Sequence, residues 1–250
     1  CKSLTSITIP GSVTSIGRGA FSGCDSVTIY CEALSKPCEW DRLWSWSFVP
    51  VVWGYAGESG ITKDGFKYAV SKDQNGNEGI YIIGYDSTGY HGYYKTLSIP
   101  RSILVGSKNT PVKFISNGAF RGCDRLRSIV VPDSISSIGK AAFYNCKSLT
   151  SITIPGSVTS IGSEAFYNCI SLKSITIPSG VTLIEAAVFC GCKSLTSITI
   201  PDSVTSIEDF AFAGTSLASI TIPDSVTYIV PVAFFNCHFL KSVSISSSVT

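Results

Sequence analysis

The sequence contains no methionine and few charged residues, which make up 14% of its 250 positions. An average soluble domain has about 25%. A net charge of +2 without a dense lysine or arginine run argues against nucleic acid as a partner. No apolar stretch approaches the roughly 20 residues of a membrane-spanning helix, so we expect no insertion into a membrane. The missing methionine favours a piece of a longer protein, so the absence of a signal peptide excludes no location.

Motifs of catalysis and metal binding are missing as well. The two histidines, His91 and His238, lie far apart and have no partner motif. There is no nucleophile elbow, phosphate loop or dinucleotide fingerprint. None of the ten cysteines forms a Cys-x-x-Cys pair, which argues against a tetrahedral metal site. We therefore expect a protein that is not an enzyme and uses no cofactor.

Most of the chain consists of one repeated unit. Leucines recur at intervals of 23 residues, apart from one interval of 22 where the unit after Phe212 is shorter. These leucines are Leu126, Leu149, Leu172, Leu195, Leu217 and Leu240. A fixed period of about 20–29 residues is typical of leucine-rich repeat solenoids, in which each unit forms one coil and packs on its neighbours.

Each unit begins with alternating polar and apolar residues. Residues 151–154, Ser-Ile-Thr-Ile, predict a strand with both isoleucines inward and the hydroxyls outward. Pro155 ends this strand because it has no N–H for a ladder. The segment from Val158 to Cys169 returns, and Phe166 fills the far side of the coil. We expect short parallel strands on the concave face and short helical or irregular return segments.

Two stretches interrupt the repeats and divide the chain. Residues 1–56 are predicted to end a first repeat block with a C-terminal cap that contains all four tryptophans. Residues 57–95 hold two β-like runs around an Asn-Gly turn signal, which predicts a β-hairpin that caps the next block, followed by a linker. Residues 96–250 form the second repeat block.

The pattern Leu-x-x-Ile-x-Ile-Pro-x-x-Val-x-x-Ile-x-x-x-Ala-Phe-x-x-Cys, complete from Leu149 to Cys169, resembles the BspA-type leucine-rich repeats of bacterial and protozoan surface proteins. The resemblance covers residues 1–31 and about 96–250. It implies an α/β leucine-rich-repeat solenoid that is extracellular or on the cell surface, non-enzymatic and often adhesive. The departures from the pattern are Val188 for alanine, Thr215 for cysteine and Pro231 within a return segment.

Outward hydroxyls on the strands are the first candidate binding site. They have two interpretations: a solvated β face that uses the strand propensity of threonine, or a surface that binds protein or sugar. The candidate binding residues are Thr153, Thr176, Thr199 and Thr221.

Aromatic residues that crowd the first half of the chain are the second candidate. They either build the cap core and a joint between the blocks, or form a patch for sugar stacking or protein docking. Tryptophan and tyrosine are enriched where binding energy concentrates. The candidates are Trp44, Trp46 and Tyr93.

Four cysteines share one repeat phase, which places them about 5 Å apart on adjacent coils. We expect them to be buried free thiols that act as small apolar side chains. Cys31 and Cys38 lie off this phase and close in sequence, so an extracellular setting makes a disulfide between them a candidate, with free thiols as the alternative. The cysteines in phase are Cys123, Cys146, Cys169 and Cys192.

These patterns lead to a hypothesis of function. The chain is expected to be a recognition or adhesion scaffold that binds a protein partner, such as a host or matrix protein, through the solenoid surface. The alternatives are a carbohydrate-binding module that uses the Trp/Tyr cluster, and a passive structural spacer.

Overall fold

The structure is a computed structural model that describes residues 2–41, 44–45, 49–85 and 96–245. Those residues contain strands and turns but no helix. The strands within them are, in chain order, β1 (Ser6–Ile9), β2 (Thr28–Cys31), β3 (Val51–Trp53), β4 (Tyr55–Ile61), β5 (Phe66–Lys72), β6 (Glu78–Tyr85), β7 (Thr96–Ser98), β8 (Ser102–Val105), β9 (Lys108–Ile115), β10 (Ser128–Val130), β11 (Ser137–Ile138), β12 (Ser151–Thr153), β13 (Ser160–Ile161), β14 (Leu183–Ile184), β15 (Ser206–Ile207), β16 (Ser219–Thr221), β17 (Tyr228–Ile229) and β18 (Ser242–Ser244).

One ladder of parallel strands follows the start of every unit. β10 pairs in register with β7 and β12, and β16 pairs in the same way with β18. Beyond β12 the register continues as far as Thr199 through the bridges of Ser151 with Ser174 and of Thr176 with Thr199. The isoleucines at 152, 175 and 198 therefore lie on successive coils in matching positions. The predicted stack of parallel strands is confirmed.

The return segments contain a second parallel ladder, which the sequence did not lead us to expect. β9, β11 and β13 pair side by side, and so do β14, β15 and β17. Buried isoleucines align along this ladder, as in the pairing of Ile115 with Ile138 and of Ile138 with Ile161. We expected an α/β fold with helical or irregular return segments. The α/β class and the helical alternative are wrong for the described residues, where the return segments consist of short strands and turns.

Left-handed backbone positions explain the absence of a helix. Glu164 and Asn168 have φ angles of 60° and 56°, whereas a right-handed helix requires about −63°. Two such residues within one return segment leave no room for a helical turn. The freed amide groups bond to the next coil, as the Phe166 N–H does to the Val188 carbonyl at 2.9 Å.

A column of phenylalanine rings fills the core behind the second ladder. Neighbouring ring centroids lie 5.2 to 5.8 Å apart, and the ring planes are within 18° of parallel. All but the last ring are fully buried. The column consists of Phe120, Phe143, Phe166, Phe189, Phe212 and Phe234.

The cysteines in repeat phase add hydrogen bonds to this packing. Cys146, Cys169 and Cys192 are buried free thiols, as predicted. Each Sγ–H donates to a phenylalanine carbonyl of the preceding coil at 3.1 to 3.2 Å. Burial raises the pKa of all three thiols, so they keep the proton that they donate. The hydroxyl of Thr215 instead bonds within its own turn, to the Phe212 carbonyl at 2.8 Å.

The first block and the hairpin region meet in a packed joint. β1, β2 and β3 form a parallel sheet, and β4, β5 and β6 form an antiparallel meander whose last strand pairs with β9. Val52 of β3 packs on Ala69 and Ile83 of the meander. The buried Ser116 hydroxyl donates to the Val51 carbonyl at 3.0 Å and accepts the Val51 N–H at 3.1 Å. The division of the chain near residues 56 and 95 stays a prediction.

One interface between coils lacks hydrogen bonds that recur at the others. Thr159 and Gly162 bond through their amides to the coil before them, at 3.0 and 2.9 Å. Thr182 and Glu185, one coil later, do not make these bonds within the described residues, although the same bonds reappear in the next coil. Strands β13 and β14 also do not pair. We call this the β13–β14 interface.

Two of the sequence differences between the units on either side of this interface lie close to the missing bonds. Gly180 stands where the previous unit has Ser157, whose hydroxyl donates to the Ile135 carbonyl at 2.6 Å. Glu185 stands where that unit has Gly162. At Gly162 the preceding coil packs so closely that an added Cβ would lie 2.6 Å from the Lys140 nitrogen. A small cavity at the interface is lined by Ile161, Ile177, Leu183, Ile184, Glu185, Val188 and Phe189.

We expect Glu185→Gln to stabilise the protein at neutral pH by roughly 0.2–1 kcal/mol, the range for partly exposed charge pairs. Burial, followed by the charge of Glu208, raises the pKa of Glu185 above its ordinary 4.5. A carboxyl group with a raised folded-state pKa favours folding when protonated, so stability falls as pH rises from about 4.5 through the folded-state pKa. Urea denaturation of both proteins at pH 4 and pH 7 measures the effect.

The matched control for this prediction is Asp209→Asn, which removes an exposed carboxylate from the same region. The control should leave the pH dependence unchanged. Equal stability of Glu185→Gln and the unsubstituted protein at pH 7 would contradict the prediction.

Candidate binding surfaces

The outward side chains of the first ladder form a continuous hydroxyl surface. All of its residues are exposed, while the isoleucines between them point inward and are mostly buried. Successive coils present the same pair of side chains about 5 Å apart. We call this surface the strand face and define it as Ser151, Thr153, Ser174, Thr176, Ser197, Thr199, Ser219 and Thr221.

A second row of threonines lies on the return segments, and the hydroxyls of this row bond to the backbone of the protein itself. Thr159, Thr205 and Thr227 each donate to a carbonyl oxygen of the preceding coil, at 3.2 to 3.4 Å. The four threonines of the strand face have no such partner in the part of the chain that the structure describes. Their hydroxyls are therefore available to solvent or to a ligand, and this distinguishes the two rows.

Charge lies along the two edges of the strand face. The face itself carries no charged residue, and exposed Lys173 and Lys241 precede their strands. Exposed Asp202 and Asp224 follow the prolines at the opposite strand ends. Since Lys241 precedes β18, one coil beyond the face, a partner on this surface meets an uncharged centre with one lysine at one edge and two aspartates at the other.

The described tryptophans form the core of the first block's cap. Trp40 and Trp44 are 2% and 6% exposed, and their ring centroids lie 4.9 Å apart. The Trp40 Nε1–H donates to the Val13 carbonyl at 3.2 Å. The burial of Trp44 supports its interpretation as a core residue and leaves little of its ring for a ligand. Trp46 and Tyr93 lie outside the described residues.

Cys31 and Cys38 are both free thiols in the structure. Cys31 is fully buried in β2, and Cys38 is exposed on the following loop. Burial raises the pKa of Cys31 to about 12, which keeps its thiol protonated and unreactive. The structure therefore contains no disulfide between them.

A pocket at the joint was not predicted from the sequence. It is open to solvent, has a volume of about 480 Å³, and lies where the cap, the meander and β9 meet. Its apolar wall contains Trp53, Tyr81 and Phe114, and its polar wall is the turn at residues 73–77. We call it the joint pocket.

Ring stacking fixes the apolar wall of the joint pocket, and hydrogen bonds fix its polar wall. The rings of Tyr81 and Phe114 stack at 4.4 Å, and burial raises the pKa of Tyr81 to about 12. The Asp73 carboxylate accepts the amides of Asn75 and Asn77 at 2.8 and 2.9 Å. It also accepts the Asn77 side chain, and these bonds lower the pKa of Asp73.

Other kinds of site find little support in the described residues. No group of three or more histidine, cysteine, aspartate or glutamate side chains among them could hold a metal ion. Nor do these residues form a helix long and apolar enough to cross a membrane.

The stacked coils define a leucine-rich repeat scaffold. A model of the BspA type leucine rich repeat region matches residues 1–34 and 159–250 in six copies. The chain belongs to the BspA-type leucine-rich repeat family. No curated protein sequence matches it.

Solved structures with the same fold come from bacteria. A leucine rich cell surface protein from Faecalibacterium prausnitzii is 31% identical, with 75% of this chain and 54% of that chain covered and a TM-score of 0.56. A leucine rich repeat protein of T. pallidum is 30% identical, with 74% and 82% covered and a TM-score of 0.63. Pneumococcal vaccine antigen PcpA, at 24% identity, covers 78% and 51% with a TM-score of 0.64 and shows the fold alone. The chain spans about half the length of the F. prausnitzii protein.

Proposed function

We propose that this chain is a surface-exposed, non-enzymatic recognition scaffold that binds a protein partner through the strand face. The observation that supports the proposal best is the contrast between the two threonine rows. One row ties coils together, whereas the strand-face threonines have exposed hydroxyls without protein partners in the described structure. The strand propensity of threonine explains why threonines stand on these strands. It does not require that they form a continuous row whose hydroxyls have no hydrogen-bond partner.

The extent of the strand face favours a protein over a small molecule. A stable protein interface buries about 800 Å² on each partner and involves roughly 20–30 residues a side. The eight residues of the strand face would form the centre of such an interface, and neighbouring residues of the same coils would supply the rest of the area without a deep cleft, as repeat scaffolds do. Asp202 and Asp224 at one edge and Lys173 at the other would orient a partner of complementary charge.

The family supports a location on the bacterial cell surface. One structural relative is described as a cell surface protein. We extend the location to this chain as part of the proposal and assign it an extracellular role in adhesion to a host or matrix protein.

Two variants that change the net charge by the same amount test the proposal. Thr153→Glu/Thr199→Glu adds two negative charges to the strand face on non-adjacent coils. Lys147→Glu changes the net charge by the same amount at an exposed turn outside the face. Binding of the chain to immobilised, purified extracellular-matrix proteins is measured by surface plasmon resonance, after thermal melting has shown that both variants fold.

We expect the strand-face variant to lose affinity by at least about tenfold, since charges inserted into an uncharged interface lose their solvation. The Lys147→Glu variant should keep its affinity. Equal binding by both variants would contradict the proposed surface, and binding to none of the matrix proteins would favour a passive spacer.

A further inference from the structure

The joint pocket has the dimensions of a small-molecule site. Its volume of about 480 Å³ lies within the range of roughly 300–1,000 Å³ typical of ligand pockets. Such pockets form preferentially where separately folded units meet. Here the walls come from the cap of the first block, from the β5–β6 turn and from β9.

The apolar wall is held in place before any ligand arrives. Trp53, Tyr81 and Phe114 are half-buried, so each keeps part of its surface accessible. Leu34, at the rim, is 51% exposed. Gly79 on β6 lets Lys113 and Phe114 pack close to its backbone, because an added Cβ would lie 3.0 Å from Lys113 Cγ and 3.5 Å from the Phe114 ring.

The polar wall presents amide groups that are not used within the protein. The 73–77 turn is fixed by Asp73, while the side chains of Gln74 and Asn75 have no hydrogen-bond partner among the described residues. A side-chain amide offers two donors and one acceptor, so it can bond to hydroxyl groups in either direction.

The charges that line the pocket cancel each other. Lys72 and Lys113 are balanced by Asp73 and Glu78. The Glu78 carboxylate is held by Lys108 at 2.8 Å and by Lys72 at 3.7 Å, and the Lys108 bond is the main cause of its lowered pKa. A neutral ligand therefore fits the pocket better than an ionic one.

A peptide in extended form fits less well. Peptides commonly add a strand to a free sheet edge. Most of the strand residues in the pocket come from β5, β6 and β9, and each of these strands is already paired on both sides. β3, which contributes Trp53, is the last strand of its sheet but is only three residues long, so we expect a ligand to bind mainly through side chains.

We infer that the joint pocket binds a neutral saccharide of one to three sugar rings. The C–H faces of the sugar pack on Trp53, Tyr81 and Phe114, and its hydroxyls bond to the amides of Gln74 and Asn75. The site is separate from the strand face and does not depend on the protein-binding proposal.

An oligosaccharide array tests this inference with the whole chain. The array carries neutral hexose and N-acetylhexosamine saccharides of one to three units beside sialylated and uronate-containing ones. Isothermal titration calorimetry then compares the strongest neutral oligosaccharide with three variants. These are Gln74→Ala/Asn75→Ala in the turn, Asn109→Ala at an exposed site outside the pocket, and Thr153→Glu/Thr199→Glu on the strand face.

We expect binding to neutral oligosaccharides and a loss of at least about tenfold in the turn variant. The other two variants should bind like the unsubstituted chain. The inference is overturned if the array shows no neutral ligand, if only acidic oligosaccharides bind, or if the turn variant keeps full affinity. Because the strand-face variant is measured on the same ligand, failure of this site is distinguishable from failure of the strand face.

Discussion

Replacing Phe143 with alanine is expected to destabilise the protein by about 3–5 kcal/mol, the usual cost of truncating a fully buried aromatic side chain. Phe143 is 0% exposed, and its ring lies between those of Phe120 and Phe166 at 5.2 and 5.3 Å. The three rings are almost parallel, with interplanar angles of 2° and 4°. Alanine would leave a cavity within the column. This cavity cannot close, because backbone hydrogen bonds to the neighbouring coils hold the chain in place.

Two other substitutions show whether burial within the column decides this cost. Tyr144→Ala removes a stacked ring on the adjacent surface, where the distance to the Tyr167 ring is 4.7 Å. Phe234→Ala removes the last, half-buried ring of the column. Both should cost clearly less than Phe143→Ala. Urea denaturation followed by circular dichroism gives the free energies, and equal costs for Phe143→Ala and Tyr144→Ala would contradict the argument.

The denaturation slope adds information about cooperativity. Stability in a stack of repeats is approximately a sum of coil and interface contributions. If the solenoid unfolds as one unit, Phe143→Ala moves the midpoint and leaves the slope unchanged. A lower slope would show that the coils on either side of Phe143 separate and unfold in two steps.

Side-chain periodicity was enough to predict the first ladder and the core. The alternation at Ile152 and Ile154 specifies which face is buried, and every unit repeats it in register. The phenylalanine at a constant distance behind the strand must then lie in the core. Such patterns are local, and stacking identical units multiplies the same signal.

The second ladder and the path of the return segment could not be predicted in the same way. A two-residue strand such as Ser160–Ile161 is too short for a period to be detected. The left-handed angle of Glu164 is equally hidden, because glutamate rarely adopts it and no sequence signal marks it. Backbone bonds between coils determine both features.

The joint pocket was missed for a different reason. Its walls come from Leu34, Trp53, the 73–77 turn and Phe114, which are far apart in sequence. The Asn-Gly signal located the turn, but only the packing of the cap on the meander brings it close to the aromatic residues. The cap tryptophans were found from the sequence, but their role was not. Tryptophan is common both in cores and in binding patches, and only the burial of the side chains distinguishes the two.

The amide hydrogens of Thr182 and Glu185 are expected to exchange with solvent at least about a hundredfold faster than those at the same positions of neighbouring coils. Thr159, Gly162, Thr205 and Glu208 all bond through their amides to the preceding coil at 2.9 to 3.0 Å. Thr182 and Glu185 lack these bonds within the described structure. Hydrogen exchange measured by nuclear magnetic resonance resolves the individual amides.

The far side of the same coils provides the internal control. Across the β13–β14 interface the Phe166 and Asn168 amides still bond to the next coil, at 2.9 and 2.7 Å. These amides should remain protected, because the phenylalanine column continues through the interface with a ring distance of 5.8 Å. One-sided exchange would show that the two coils open at the second ladder while the column holds them together. Equal protection of Thr182, Glu185 and their counterparts would mean that the interface is closed in solution, and exchange on both sides would mean that the stack divides there.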